Sequence, residues 1–134
     1  MKLVRIVAIT TLGFLGVTSL IGAIPLIIDP TGIMLSMPLS MLEHSPFKSF
    51  LIPGLILLIA NGLLSFWVLA LVLRKTSQYP SWVALQGCIL AGWITVEVVM
   101  IRAVVWAHYV YWAVALILIA CGWFLKKDAA GSAN

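Results

Sequence analysis

Four apolar runs, each long enough to cross a hydrocarbon layer and divided by short polar breaks, constrain this chain more than any motif in it. A transmembrane helix needs about 20 apolar residues. The runs cover Val4–Ile28, Phe50–Leu73, Ser81–Val105 and Ala107–Leu125. Of 134 residues, 63% are hydrophobic and 9% are charged, against about 25% charged in soluble domains. A soluble fold of this size has too little interior to hide so much apolar surface, whereas a bilayer accepts it. The expected fold is an all-α membrane protein, a four-transmembrane-helix bundle forming one domain over residues 1–134.

The breaks carry turn chemistry. Asp29-Pro30-Thr31-Gly32 ends the first run, and Arg74-Lys75-Thr76-Ser77-Gln78-Tyr79-Pro80 separates the second from the third. Pro53 falls in the first turn of the second run, where its missing N–H costs little. Lys126-Lys127 closes the fourth run, and the small polar tail 128–134 is expected to be disordered. The start, Met1-Lys2-Leu3-Val4-Arg5, imitates a signal peptide. The run behind it is longer than the roughly 7–15 residues of a signal core, and Ile21-Gly22-Ala23 is a poor cleavage site, so an uncleaved first span is expected.

The formal charge is +4, but the basic residues form no groove or stripe of the kind a nucleic acid needs. They sit at the ends of the runs. Lys2, Arg5, Arg74, Lys75, Lys126 and Lys127 fall on one side, Lys48 and Arg102 on the other. This bias places both termini in the cytoplasm and argues against an antiparallel dual topology. Trp82, Trp106, Tyr109, Tyr111, Trp112 and Trp123 lie near span ends, where interfacial anchors belong. Cys88 and Cys121 lie inside spans without a Cys-x-x-Cys pair, so a disulfide framework or thiol-redox chemistry is not expected. They read as small packing residues near the cytoplasmic side.

Residues 29–49 form the one long connection, on the outer side, and it is oddly apolar. Pro38 and Pro46 bracket room for a short helix, expected to lie in the outer interface with Glu43 and His44 at its wet end. Met34, Met37, Met41 and His44 have the spacing of soft-metal ligands. Pro38 interrupts the helix that would align them, and methionines at helical spacing are usually an apolar face, so no metal and no cofactor is expected.

The polar residues inside the spans are the candidate site. Glu97 is foremost, because a carboxyl in a bilayer is expensive and calls for a partner or a function. It lies about 22 Å from the cytoplasmic end of the third span, and in such surroundings the neutral form costs less than the charged one. Asn61, near the middle of the second span, is the expected partner, as a donor to Glu97. Such interhelical bonds contribute about 0.6–2 kcal/mol. Arg102 is five positions from Glu97, whereas helix neighbours are three or four apart, so pairing relies on its long side chain. Gln86, Trp93 and Glu97 share a face that should point into the bundle, with His108 in line only if the helix continues that far. For Asn61 and His108 an interhelical bond and an interfacial position are the plainer roles. Gly13, Gly16, Thr18, Ser19 and Gly22 in the first span, with Gly87, Cys88, Ala91 and Gly92 in the third, predict close contact between those two helices.

The stretch Pro38-Leu39-Ser40-Met41-Leu42-Glu43-His44-Ser45-Pro46-Phe47, with Phe50-Leu51-Ile52-Pro53-Gly54-Leu55, Asn61-Gly62 and Gly92-Trp93-Ile94-Thr95-Val96-Glu97-Val98-Val99-Met100-Ile101-Arg102, resembles small uncharacterised bacterial four-span inner-membrane proteins. The resemblance covers residues 32–125. It implies a bacterial inner-membrane location and brings no activity with it.

Three functions fit. The sequence favours a structural or accessory protein that binds membrane lipid and another membrane protein or a second copy of itself. The alternatives are a small proton-coupled transporter using Glu97 and a membrane enzyme acting on lipid or quinone. Small multidrug transporters share the size and span number, but they carry their essential Glu in the first span. Catalysis is the weaker reading, since no nucleophile–base pair, carboxylate dyad or nucleotide-binding loop is present.

Overall fold

The computed structural model describes residues 2–132. Four helices dominate it, α1 (Lys2–Ile28), α2 (Leu51–Leu73), α3 (Tyr79–Ile101) and α4 (Trp106–Ser132). Each is long and apolar enough to cross a membrane, and no strand occurs among the described residues. The helices alternate in direction. Arg5, at the start of α1, donates to the Val72 carbonyl at the end of α2 (2.9 Å). Its cation there offsets the negative end of the α2 dipole. Lys2, Arg5, Arg74, Lys75, Lys126 and Lys127 therefore share one end of the bundle, the terminal end. The segment 29–50 covers the other, the loop end.

α3 and α4 form the most extensive pair, and α1 packs against α2 and α4. The expected contact between α1 and α3 is not made: they sit diagonally in the bundle. The small residues serve neighbours instead. A methyl group on Gly16 would strike the Phe66 ring of α2, and one on Gly54 would press on Leu26 of α1. On the other side, Gly87 and Gly122 let α3 and α4 approach until backbone meets backbone. A Cβ at Gly87 would lie 2.7 Å from the Ala115 carbonyl oxygen. Without a hydrophobic force between helices in lipid, such close approach supplies the dispersion contact that holds them together. Gly13 and Gly92 face open space. Cys121 is buried, while Cys88 lies exposed on the outside of α3 rather than in the packing.

Two boundaries depart from expectation, and one helix is irregular inside. α3 stops at Ile101 rather than Val105, because Arg102 turns into the left-handed region (φ 59°) and returns its N–H to the Val98 carbonyl. α4 continues through Asp128-Ala129-Ala130-Gly131-Ser132, where the composition predicts disorder; two alanines and no proline leave nothing to stop it. Residues 133 and 134 of that tail lie outside the described residues. Within α2, Leu57–Leu63 winds as a π-helix.

The 29–50 segment holds no two-turn helix. It contains two short 3₁₀ turns, Ile33–Leu35 and Leu39–Leu42, on either side of Pro38. Gly32 (φ 82°) makes the left-handed turn that starts the return, where a side chain would meet the Met37 carbonyl and the Phe50 ring. The Phe50 N–H closes the segment on the Pro30 carbonyl (2.9 Å). Leu42 and Phe50 are buried against Leu26, with Met37, Met41 and Phe47 packed around them. The segment is apolar because it plugs the loop end of the bundle. Ile33, Met34 and Leu39 remain exposed on its far side.

Candidate functional site

Polar side chains inside the bundle fall into two groups. The first joins α2 to α3 near mid-bundle. Asn61, Ser65 and Gln86 are all fully buried. Gln86 Nε2 donates to the Ala60 carbonyl (3.1 Å) and reaches Asn61 Oδ1 (3.5 Å). Ser65 Oγ donates to the Asn61 carbonyl (2.6 Å). Asn61 Nδ2 and Gln86 Oε1 have no partner. π-turns loosen the regular ladder, and the Ala60 carbonyl that receives Gln86 lies in this π segment. Asn61 thus meets Gln86, not Glu97. Because α3 ends at Ile101, Glu97 sits about one turn from its loop end, whereas Asn61 lies ten residues into α2. The two are at different depths.

The second group is Glu97 and His108. The four-residue link Arg102–Val105 folds α4 back so that His108, in the first turn of α4, faces Glu97, one turn from the end of α3. His108 Nε2 lies 3.8 Å from Glu97 Oε2. The Val105 N–H donates to His108 Nδ1 (3.0 Å). A ring nitrogen that accepts carries no proton, so the neutral imidazole holds its hydrogen on Nε2, toward Glu97. His108 is therefore the neighbour of Glu97, through a turn and not through a continuing helix. Arg102, exposed at the turn, makes no ion pair with Glu97.

Both side chains border a cavity of about 360 Å³. Its walls come from α1 (Leu15, Thr18, Ser19, Gly22), α3 (Trp93, Ile94) and α4 (Tyr111), and Met37 and Met41 of the loop segment roof it. Leu15 and Leu90 are its deepest lining residues toward the terminal end, and Leu57 lines it from α2. The wall is mainly apolar. Thr18 Oγ1 donates to the Phe14 carbonyl (2.8 Å); Glu97 and His108 are the titratable pair of the wall, beside the hydroxyl-bearing Ser19 and Tyr111. A largely apolar pocket with a few converging polar groups is the usual form of a small-molecule site.

The remaining candidates lie apart. His44 Nε2 and Glu43 Oε1 form a pair at 3.1 Å on the exposed side of the loop segment, an arrangement that contributes little to stability. Met37 and Met41 serve the roof, Met34 is exposed, and no cluster of metal-ligating His, Cys, Asp or Glu occurs among the described residues. Among the aromatics, Trp106, Tyr109 and Trp123 stand on the exterior. Tyr111 turns inward to the cavity, and Trp112 donates to Thr95 of α3 (3.3 Å).

Fold and site together define a class, a helical chain with four helices long and apolar enough to cross a membrane and a polar pair at a cavity between them. No protein-family profile, curated protein or solved structure matches the chain.

Proposed function

We propose that the chain is a multi-pass protein of a bacterial inner membrane, both termini in the cytoplasm, and acts as an accessory protein that holds an apolar molecule with a hydrogen-bonding head. One observation carries this reading: a preformed, mainly apolar cavity of about 360 Å³ with Glu97 and His108 at its wall. The gathering of basic residues at the terminal end supports the orientation. In that orientation the cavity opens to the outer half of the bilayer, and the exposed Ile33, Met34 and Leu39 rest in the outer interface. Leu15 and Leu90, toward the terminal end, favour holding over conduction; a proton-coupled transporter built on Glu97 needs them to part.

The test is binding of a fluorescent apolar probe to the protein in lipid nanodiscs. Saturable binding that a cavity-filling Ser19→Phe removes, in a variant that still unfolds cooperatively, is the expected result. Probe binding unaffected by Ser19→Phe overturns the reading. Labelling single cysteines from outside intact cells checks the orientation: reaction at Ser45→Cys and none at Ser77→Cys is expected, and the reverse pattern inverts the topology.

A second reading, binding of another membrane protein, draws on the outside of α3, where Cys88 and Gly92 lie exposed one turn apart and leave room for a neighbouring helix. Gly92→Leu then lowers recovery of co-purified membrane proteins without affecting probe binding.

A further inference from the structure

We infer that the cavity takes a hydroxylated aromatic head, that of a hydroquinone, seated between Glu97 and His108. This inference rests on the ligand-holding role proposed above and names the ligand class. Three features of the wall point to it.

The first is hydrogen-bond polarity. The Val105 N–H occupies His108 Nδ1, so Nε2 presents a donor into the site. Glu97 presents an acceptor oxygen whether ionised or not, since a neutral carboxyl keeps its carbonyl oxygen. The pair is thus one donor beside one acceptor. A hydroxyl group satisfies both, accepting from His108 and donating to Glu97. A quinone carbonyl accepts only: it finds a donor in Glu97 solely when that carboxyl is protonated, whereas a hydroxyl is held in both states of Glu97.

The second is spacing. Glu97 Oε2 and His108 Nε2 are 3.8 Å apart, too far for a good mutual hydrogen bond. An oxygen placed about 2.8 Å from each bonds to both, at near a right angle between them. The separation that makes a poor direct pair makes a suitable seat for a single bridging oxygen.

The third is shape and surface. Trp93 and Tyr111 border the cavity, and Phe14 stacks on the outer side of Tyr111 with ring centroids 6.3 Å apart. Aromatic walls favour a flat ring by offset or edge contacts. Met37 and Met41 form the roof; thioethers are flexible and make favourable contacts with ring edges. The volume suits one substituted ring with the first segment of an apolar tail, at the small end of the usual range of about 300–1,000 Å³ for ligand pockets. No electron transfer follows from this arrangement, and none is proposed.

The experiment uses the full chain in nanodiscs and follows quenching of tryptophan fluorescence by three short-chain probes: a hydroquinone, its quinone under oxidising conditions, and the hydroquinone with both hydroxyls methylated. The hydroquinone is expected to bind saturably and at least tenfold tighter than the methylated ether. Each of Glu97→Leu and His108→Phe should reduce that preference to near unity, while Glu97→Gln, which keeps an acceptor oxygen, retains most of it. The ligand series works on the unaltered protein, so the outcome does not depend on any variant folding. Equal binding of hydroquinone and ether overturns the inference while leaving an apolar-ligand cavity in place. Preference for a long-chain amine, added as a fourth probe, also overturns it and reassigns Glu97 to a cation. Absence of binding by every probe overturns both the inference and the function on which it rests.

Discussion

Asn61, Ser65 and Gln86 on one side, and Glu97 and His108 on the other, are both polar groups inside an apolar bundle, yet their surroundings set them to different tasks. The first trio is sealed on all sides, and its bonds run between α2 and α3 or back onto α2. The second pair stands at a cavity wall, its facing atoms 3.8 Å apart and directed at open volume. Gln86 and Glu97 are separated by 11 residues of the same helix, about 16 Å. Polarity within a span thus says little about role. What decides is whether neighbouring helices close over the group or leave space beside it.

The largest expected effect breaks both groups together. Gly87→Val or Gly122→Val forces side chain against the α4 or α3 backbone and should cost about 3 kcal/mol, the upper end for overpacking because backbone yields poorly. Thermal unfolding in detergent measures it, with Gly92→Ala, which meets nothing, as a control that is not destabilised and gains up to about 1 kcal/mol from helix propensity. Next comes a separation of roles. Gln86→Leu should lose about 1–2 kcal/mol of stability and leave ligand affinity as it was. Glu97→Leu should remove ligand preference and leave the unfolding midpoint unchanged or raised, since it takes a polar group off an apolar wall. If the two variants change the same property, the division of labour fails.

Smaller effects sharpen the same contrast. A double-mutant cycle of Asn61→Leu with Gln86→Leu should show coupling of about 0.6–1.7 kcal/mol. Asn61→Leu with Glu97→Leu should add within about 0.5 kcal/mol; measurable coupling there would restore the Asn61–Glu97 contact that the helix depths exclude. Smallest is Arg102→Gly. Arg102 holds a left-handed conformation that costs an L-residue about 1 kcal/mol, so glycine should stabilise slightly. Ligand binding should not change, because the guanidinium lies outside the cavity lining.

How far the site was readable can be judged from particular residues. Gln86, Trp93 and Glu97 share a helical face by spacing alone, and all three point inward. The partners were not readable. Glu97 meets His108 because α3 stops four residues earlier than its hydropathy does. Arg102-Ala103-Val104-Val105 contains no glycine or proline to announce the stop. A shift of four residues moves a helix end by about 6 Å, enough to replace one partner with another. Asn61 meets Gln86 within a π segment that no propensity marks. The loop shows the same limit: its apolar residues were plain, but that they plug the bundle depended on Leu26 and Phe50 being open to receive them.

What the sequence determined alone is what adds up residue by residue. Hydropathy set four helices long and apolar enough to cross a membrane, charge placement set the basic terminal end, and periodicity set an inward polar face on α3. Each of these follows from summing transfer free energies or charges along the chain, with no knowledge of neighbours. The tertiary structure decided the rest: α1 beside α2 and α4 rather than α3, Asn61 with Gln86, Glu97 with His108, and a cavity between them. These depend on which surfaces interlock once the helices pack. Within a bilayer every apolar face is equally content against lipid, so shape and hydrogen bonding between helices make the choice.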